Sequence, residues 1–564
     1  MSKRSVRDKL VYRAFLFFKE NQMKNNAIRI DEIILGLDEK EEVLLDKILA
    51  ILGLREEDII DYEIVKKAID SRDKKKILFV YSVDVETRNP ENYLARTSAL
   101  VKGKMKRHRV RLQAPYAYLI KTVPVDEKRL RPIVVGSGPS GLFAGLILAR
   151  AGLKPLIIER GKNVDARIED VEKFFATGEL DVESNIQFGE GGAGTFSDGK
   201  LHTLIDNPRK KFIFEEFIKS GALPEIASDA QPHIGTDKLR QIVKNIRQKI
   251  IRLGGEVRFE TCLTDIEITD GKIVAAVFNG QEKIPVSELI LATGHSARDT
   301  FGMLYAKNLE MKAKPFAIGV RIEHTAEMIN RAQYGEFFAH PKLPTARYRL
   351  VAHSEKNRSV YSFCMCPGGV VVAASSEDGR LVTNGMSEQA QDGQNSNSAL
   401  LVNVLPSDFD SDSPLAGIEF QRRWEEKAFA AGGGKYKAPA QLVGDFLQNK
   451  PSKKIGGIVP TYGPGVTMTT LDSCLPEYVL ESLREALPVL DRKVKGFAHP
   501  EAVLTGVETR SSSPVKIVRG ENFQSNIAGI YPAGEGAGYA GGIVSAALDG
   551  LMVAEAVIGK YLKF

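Results

Sequence analysis

The stretch Arg131-Pro-Ile-Val-Val-Gly-Ser-Gly-Pro-Ser-Gly-Leu-Phe-Ala-Gly145 decides the fold of this chain. Its apolar residues 133–135 predict a buried parallel strand, and the glycines that follow have the Gly-x-Gly-x-x-Gly spacing of a strand-to-helix turn. Gly136 permits the tight turn, Gly138 lets a pyrophosphate approach the backbone, and Gly141 leaves room where helix and strand pack. The stretch therefore predicts a dinucleotide-binding α/β unit.

The residues around these glycines fit the same interpretation. The N–H groups and dipole of the first helical turn, where Pro139 costs no hydrogen bond, face a phosphate. A second strand is predicted at 156–158, and Glu159 at its end is placed to accept hydrogen bonds from ribose hydroxyls. The alternative is a glycine-rich turn of another α/β protein, but the second strand argues against it. We expect the nucleotide to be bound by Gly136, Ser137, Gly138, Pro139, Ser140, Gly141, Glu159 and Arg160.

Farther along, the pattern changes from βα units to a meander. A helix is predicted over 236–253, with apolar residues on one face. Strand-like runs at 256–269, 272–279 and 283–286 follow, separated by Asp-Gly and Asn-Gly turns that favour hairpins. A nicotinamide-binding domain would continue with further βα units, so the meander indicates another kind of dinucleotide protein.

These features resemble the glutathione-reductase-type group of FAD enzymes. In that group a β-meander crosses over the FAD domain and leads to an Ala-Thr-Gly near the cofactor. The resemblance implies that Leu263 and the sequence Ala292-Thr293-Gly294 contact FAD. The stretch Gly529-Ile-Tyr-Pro-Ala-Gly-Glu-Gly-Ala-Gly538 is similar to the group's second FAD motif, with Gly534 and Glu535 at the ribityl chain. Glu535 stands where the group has aspartate.

A further helix is predicted from about residue 541 to 561, beginning at Gly541-Gly542-Ile543. A helix N-terminus without side chains presents its N–H groups and positive dipole to an electron-rich atom, such as the edge of a reduced flavin. A glycine loop that serves only packing is the alternative.

Several stretches look like a bacterial family of FAD-utilising, or NAD(FAD)-utilising, dehydrogenases, and the likeness covers nearly the whole chain. It implies that Gly191, Gly192, Ala193, Gly194 and Thr195 lie at the flavin and its diphosphate, although a conformational role for these glycines is equally open. The stretches are Ser184–Leu201, Tyr361–Gly369, Asn384–Ser387, Asn395–Ser398 and Glu508–Pro514.

The expected fold class is α/β, with a Rossmann-type FAD-binding domain carrying a β-meander crossover, an inserted β-rich α+β substrate domain and a small N-terminal α+β domain. The loop 379–412 is expected to be long, polar, and functional or mobile. The predicted boundaries are 1–125 for the N-terminal domain, 126–300 and 505–564 for the FAD-binding domain, and 301–504 for the substrate domain.

Catalytic candidates follow from position alone. Arg510, just before the chain returns to the flavin, is our first choice for a functional arginine. Alternation in the predicted strand 316–323 places Arg321 on a polar face that can line the flavin ring, although a surface arginine paired with Glu323 or another neighbour is equally consistent. His324, and His295 after the Ala-Thr-Gly, are candidate proton donors.

Cys364 and Cys366 suggest a redox dithiol, but we expect them to be buried small hydrophobic residues near the flavin. In an extended strand, cysteines two residues apart lie on one face with Cβ atoms too far apart for an easy disulfide. The four cysteines have neither zinc spacing nor a disulfide framework, which favours a reducing compartment.

The chain has 564 residues, enough for two or three domains, and no uninterrupted apolar run long enough to span a bilayer. Residues 1–24 are predicted to form an amphipathic helix rather than a signal peptide, so we expect a cytoplasmic protein. No metal site is predicted, and the sequence leaves the oligomeric state open.

The sequence thus predicts an FAD-dependent oxidoreductase, a dehydrogenase or reductase, that transfers hydride between noncovalent FAD and an unidentified small-molecule substrate. Because Gly-x-Gly-x-x-Gly occurs only in stretches already assigned to FAD, no separate nicotinamide domain is predicted, and NAD(P)H would visit the substrate pocket only as a transient donor. The alternative is a flavoprotein that binds or acts on RNA, suggested by the basic run 102–111 and a net charge of +6. We expect nucleic acid to be the less probable partner, because 78 basic against 72 acidic residues is a mild excess.

Overall fold

A computed structural model describes residues 26–94 and 109–562 of the chain. The helix predicted at 1–24 and most of the basic run, residues 102–108, lie outside the described residues. Within the described ranges, no helix is both long and apolar enough to cross a bilayer.

The N-terminal unit is a four-stranded antiparallel sheet in the order β2-β3-β1-β4, covered by one helix. Ile28, Ile30, Leu44 and Ile48 are fully buried between the sheet and the helix, which ends at Gly53 in the left-handed conformation. The elements are β1 (Ala27–Gly36), α1 (Val43–Leu52), β2 (Ile59–Asp70), β3 (Leu78–Thr87) and β4 (Val110–Gln113).

The glycine-rich stretch belongs to a five-stranded parallel sheet in the order β23-β11-β5-β6-β7. Its strands are β5 (Ile133–Val135), β6 (Leu156–Ile158), β7 (Glu256–Arg258), β11 (Leu289–Leu291) and β23 (Ile530–Pro532). The helices of this unit are α2 (Pro139–Arg150), α3 (Val164–Thr177), α4 (Lys210–Lys219), α5 (Thr236–Arg252), α6 (Arg298–Ala306) and α11 (Ile543–Leu562).

Alternate residues of the parallel strands enter two different cores. Val134 and Ile157 pack with α2, α5 and α11 on one face. Ile133 and Ile158 pack on the other face with an antiparallel sheet of three strands, β8 (Leu263–Thr269), β9 (Lys272–Phe278) and β10 (Glu282–Pro285). The strand predicted at 256–269 is therefore two strands, because the chain leaves the parallel sheet after β7 and turns at Glu260, where φ is +52°.

The segment between these parts forms a seven-stranded sheet in the order β14-β15-β18-β13-β21-β19-β20. Its strands are β13 (Phe316–Thr325), β14 (Val351–His353), β15 (Ser359–Cys366), β18 (Asn395–Val404), β19 (Ala438–Leu442), β20 (Val466–Met468) and β21 (Val503–Glu508). Two strand pairs flank it: β12 (Met311–Ala313) with β22 (Val515–Ile517), and β16 (Val370–Ala373) with β17 (Thr383–Met386). Its helices are α7 (Ala326–Tyr334), α8 (Ala416–Ala431), α9 (Val443–Leu447) and α10 (Glu477–Lys493).

The predicted loop 379–412 is wrong, because this segment contains β17 and β18. β18 lies between β13 and β15, and its polar first half, Asn395 to Ser398, is buried. The polar composition suggested an exposed loop, whereas these side chains are buried in the sheet and form hydrogen bonds there. One such bond joins the Ser398 and Tyr348 hydroxyls at 2.9 Å. The expected boundary at 504 also falls inside β21, which continues in this sheet to Glu508.

Candidate functional site

The turn between β5 and α2 has no room for a side chain at Gly136 or at Gly141. Gly136 has φ +103°, and a Cβ there would lie 2.2 Å from the carbonyl oxygen of Ala292. A Cβ on Gly141 would lie 1.8 Å from the carbonyl oxygen of Gly136. Both distances are far inside van der Waals contact, so the fold of this turn requires glycine at both positions.

The loop 189–195 packs directly on this turn. A Cβ on Gly192 would lie 3.0 Å from the Cα of Gly138, and the Gly191 N–H donates to the Ser137 carbonyl at 3.0 Å. Ala193, Gly194 and Thr195 follow in a short 3₁₀ turn, and a Cβ on Gly194 would lie 3.1 Å from Ile543 at the start of α11.

A buried arginine that the sequence analysis missed holds this loop. The Arg167 guanidinium, on α3, donates to backbone carbonyls on both sides of the loop, and burial lowers its pKa to about 10. No local pattern distinguishes Arg167 from a surface arginine on a helix. The five acceptors are the carbonyls of Asn185, Ile186, Gly189, Glu190 and Gly192, at 2.7–3.2 Å.

Glu159 joins three backbone segments. Its Oε2 accepts from the Ser137 N–H at 2.9 Å and the Ser137 hydroxyl at 2.7 Å, and its Oε1 accepts from the N–H groups of Gly161 and Gly189 at 3.0 Å. These four bonds use the acceptor positions of the carboxylate. Because a hydroxyl rotates freely, the Ser137 hydroxyl is the donor that a ribose hydroxyl can replace.

Arg160 and Leu263 lie beside Glu159 and are engaged within the protein. Arg160 forms ion pairs with Glu183 and Asp299, and its guanidinium stacks 4.3 Å from the centre of the Phe188 ring. Leu263 begins β8 and is buried. The charge of Arg160 is thus already balanced by two carboxylates, so its side chain offers packing contact to a ligand rather than an unpaired positive charge.

The segments 292–294 and 534–536 pack against each other and complete this group of glycine segments. Gly294 has φ +71°, and a Cβ on Gly536 would lie 2.3 Å from the Gly294 carbonyl oxygen. A Cβ on Gly534 would lie 2.8 Å from the Cβ of Ser140, so this segment also lies against α2. We call residues 136–141, 189–195, 292–294 and 534–536 the glycine cradle.

Glu535 has a partner that the sequence did not indicate. Its Oε2 lies 3.1 Å from Nδ1 of His295, and the other ring nitrogen of His295 is buried with no hydrogen-bond partner in the part of the chain that the structure describes. The position predicted to hold the ribityl chain therefore contains a linked carboxylate and imidazole, and one unsatisfied imidazole nitrogen.

The N-terminus of α11 is open. Gly541 and Gly542 are exposed, and no heavy atom of residues 26–94 or 109–562 outside the adjoining chain lies within 4 Å of a Cβ placed on Gly541. The twenty-residue helix begins at Ile543. The first-turn N–H groups of such a helix lack intrahelical acceptors, so they can bind an electron-rich group from outside.

The cradle fits FAD on two observations. The buried hydroxyl of Ser140, in the first turn of α2, has no hydrogen-bond partner within the described residues, as expected of a group that awaits a phosphate oxygen. Glycine backbones meet at the first turn of α2, where a pyrophosphate requires close approach.

Arg321 is not free to bind a substrate. All five of its N–H groups are used: two donate to the Glu508 carboxylate, two to the Cys364 carbonyl and Asn397, and one to Asn384. The side chain is fully buried. Arg321 is therefore ion-paired, as in the alternative interpretation, but with Glu508 rather than Glu323 and in the interior rather than at the surface.

His324 lies apart from the cradle. Its ring is fully buried, Nε2 lies 2.7 Å from the Phe497 carbonyl oxygen, and the ring packs against that of Phe497. Burial lowers its pKa to about 4. The residue is neutral at physiological pH and embedded in the core of the seven-stranded sheet.

Arg510 connects the two sheets. Its guanidinium binds the Glu425 carboxylate at 2.9–3.1 Å and donates to the hydroxyls of Ser296 and Ser376. Arg298 binds the other side of the same carboxylate at 2.7–2.9 Å. We call Arg298, Glu377, Glu425 and Arg510 the Glu425 cluster.

Cys364 and Cys366 do not lie in a regular strand. β15 has a bulge between Phe363 and Cys366, and Cys364 has φ +43°. The bulge turns Cys366 back toward Cys364, whose carbonyl oxygen accepts a hydrogen bond from the Cys366 thiol at 3.3 Å. Cys364 is half-exposed, so the expectation of two buried cysteines is also wrong for this residue.

Comparison with known proteins gives the class first. Residues 315–511 match the family described as "FAD-dependent protein, C-terminal domain-like", which supports an FAD-dependent flavoprotein. Residues 27–86, in the N-terminal unit, match a domain of unknown function, DUF8436.

The chain belongs to the same family as an uncharacterized protein of Clostridium beijerinckii, to which it is 51% identical over 539 residues, 95% of this chain and 99% of that one. Solved structures similar to the chain have 11–14% identity. They include the flavin-dependent brominase Bmp2 (TM-score 0.35, covering 77% of this chain and 79% of that one), quinol fumarate reductase FrdA of E. coli (0.32; 77% and 70%) and glycine oxidase of Bacillus cereus (0.31; 77% and 96%). We transfer no function from them.

Proposed function

We propose that this protein is an FAD-dependent oxidoreductase that holds FAD noncovalently in the glycine cradle and exchanges a hydride with a small-molecule substrate. The observation that carries the proposal is the convergence of four glycine segments at one place, where would-be Cβ atoms lie 2.2–3.0 Å from atoms of neighbouring segments. Such close packing of backbones serves a flat, anionic ligand.

Each part of the cradle has a role in this proposal. Ser140 and the first-turn N–H groups of α2 hold the diphosphate, with Gly138 and Gly192 keeping the approach open. Glu159 accepts a ribose hydroxyl in place of the Ser137 hydroxyl. Glu535 and His295 bind the ribityl chain.

When bound, FAD supplies a ring that accepts or donates two electrons as hydride. The N–H groups at the start of α11, beside Gly541 and Gly542, stabilise negative charge at the edge of this ring. We place the substrate where the cradle meets the seven-stranded sheet, a junction at which Lys200 donates to the Met365 carbonyl of β15. NAD(P)H would bind transiently in the same space as an electron donor.

The test is the visible spectrum of the purified protein, recorded without oxygen before and after addition of NADH or NADPH. A flavin spectrum that bleaches supports a nicotinamide-linked reductase. A flavin spectrum that persists supports a dehydrogenase that takes electrons from its own substrate. Protein that contains no flavin and does not bind added FAD contradicts the proposal, and flavin that stays with the denatured chain contradicts noncovalent binding.

A further inference from the structure

Two thiols, a lysine and an arginine meet beside the loop 189–200, in a group that the proposed function does not use. The Cys366 thiol contacts the Cys364 carbonyl at 3.3 Å, and the Arg321 guanidinium donates to the same carbonyl at 2.8 Å. Lys200 donates to the carbonyl of Met365, the residue between the cysteines. The three residues 364–366 are thus fixed from two sides by cationic side chains.

The backbone at Cys364 is strained in a way that favours contact between the thiols. A non-glycine residue with φ +43° is uncommon, and such conformations persist where surrounding structure enforces them, often at functional sites. The strain accompanies the bulge of β15, which abolishes the regular alternation of side chains. Gly385 on β17 lets its backbone pack directly against the pair, since a Cβ there would lie 2.9 Å from Cys366 Sγ.

The two thiols are not equivalent. Cys364 is half-exposed, whereas Cys366 is fully buried. The hydrogen bond from Cys366 and the positive charges of Lys200 and Arg321 hold the pKa of the Cys364 thiol well below its usual range, against the effect of burial. The pKa of Cys366 is raised well above its usual range, first by its hydrogen bond to Cys364 and then by burial. This is the arrangement of an attacking thiolate with a resolving thiol behind it.

We propose that Cys364 and Cys366 form a redox-active thiol pair that reduces a small-molecule disulfide. The Cys364 thiolate attacks one sulfur of the disulfide, whose S–S bond breaks and releases one half as a thiolate. Cys366 then loses its proton and attacks Cys364 Sγ, which releases the second half. The protein pair is oxidised by two electrons to a disulfide, and the substrate is reduced to two thiols, which take up the proton lost by Cys366 and one proton from solvent that replaces the one Cys364 released on ionising.

The test uses the purified full-length protein and oxidised glutathione as the probe. After reaction, free thiols are alkylated and trypsin releases the peptide 359–380, which contains both cysteines. Cyanogen bromide then cleaves after Met365, between them. We expect the two fragments to remain joined by a disulfide, with neither cysteine alkylated. Separate fragments, each alkylated, would overturn the proposal.

Single-cysteine variants test the assigned order. In Cys366→Ser, Cys364 should retain one glutathione as a trapped mixed disulfide. In Cys364→Ser, Cys366 should remain free. The reverse pattern would overturn the assignment of Cys364 as the attacking thiol.

The wild-type protein supplies its own control. Cys262 is also half-exposed, but burial raises its pKa to about 11. At pH 7, iodoacetamide should alkylate Cys364 at least about tenfold faster than Cys262, because the thiolate is the reactive form. Equal rates would contradict an activated Cys364. These measurements need no flavin turnover, so a failure here is distinguishable from a failure of the proposed function.

Discussion

In the glycine cradle, neighbouring segments contact one another through backbone, whereas at the Glu425 cluster they contact through buried charged side chains. A Cβ on Gly136 would lie 2.2 Å from a carbonyl oxygen, while Glu425 is enclosed by two guanidinium groups and has no exposed surface. In the first region Gly136, Gly141 and Gly536 tolerate no added atom, and the second region tolerates no removed charge. The difference predicts which substitutions each region can accept.

The largest expected effect is in the cradle. Gly136→Ala forces a methyl group against Ala292 and requires a positive φ of +103° from a residue that rarely adopts it. We expect this variant to purify without FAD and to unfold at a lower temperature. Absorbance of the purified protein in the flavin region measures the first effect, and thermal unfolding measures the second.

Gly302→Ala is the matched control for that substitution. Gly302 lies within α6 and has no heavy atom within 4 Å of its would-be Cβ, so alanine should leave FAD content unchanged and raise helix stability by up to about 1 kcal/mol. If Gly136→Ala retains wild-type flavin content, the contrast between the two regions is wrong.

The second effect is in the Glu425 cluster. Glu425→Gln removes the fully buried carboxylate between Arg298 and Arg510 and leaves them only the half-buried Glu377. Removing one partner of a buried ion pair typically costs about 3–5 kcal/mol of unfolding free energy. Urea unfolding monitored by circular dichroism measures this cost. The exposed pair Glu327–Arg331 is the control, since Glu327→Gln should cost less than about 1 kcal/mol. Equal costs for the two substitutions would contradict the assigned role of buried charge.

The same contrast explains what the sequence could predict. The strand and glycines of residues 131–145 predicted the dinucleotide-type turn, because every requirement there is local: one turn, one helix start and one strand. The amphipathic helix α5 was predicted for the same reason, and its buried Leu239, Ile242 and Ile246 match the pattern.

The failures concern residues whose roles depend on distant partners. Arg167 binds carbonyls 18–25 residues away, and Glu425 meets Arg298 across 127 residues, so no local pattern marks either one. β18 was predicted to be a loop because its first half is polar, and only its contacts with other strands show that this half is buried. The bulge at Cys364 was invisible for a similar reason, since it depends on pairing with β18.

The third expected effect is at Glu159, where a charged side chain binds backbone N–H groups of the glycine cradle and so combines features of both regions. Glu159→Gln turns an NH₂ group toward at least one pair of N–H or O–H donors, so the loops at 137, 161 and 189 lose part of their anchor. Hydrogen bonds to a charged group contribute about 1.5–3 kcal/mol each, which corresponds to FAD binding weakened about 10–100-fold. Calorimetric titration of the FAD-free protein measures the dissociation constant.

Ser137→Ala is the control for this prediction. It removes only the Ser137 hydroxyl, the donor that a ribose hydroxyl replaces, and leaves the Ser137 N–H bond at 2.9 Å in place. Its effect on FAD affinity should therefore be less than about tenfold. A larger loss from Ser137→Ala than from Glu159→Gln would show that Glu159 does not organise the cradle.

The smallest effect is the dependence of stability on pH. Burial alone would raise the pKa of Glu425, but Arg298 and Arg510 lower it far below the usual 4.5. A carboxyl whose pKa is lower in the folded state stabilises the protein above its unfolded pKa, and this stabilisation is lost as the pH falls. Below about pH 4.5 the unfolding free energy of the wild type should fall more steeply than that of Glu425→Gln, by at most about 1.4 kcal/mol per pH unit, since one proton is involved. Urea unfolding of both proteins between pH 6 and pH 3 makes the comparison. The difference between their unfolding free energies must shrink toward low pH. Parallel curves would therefore show that Glu425 is not the group that carries the ionic contact between the two sheets.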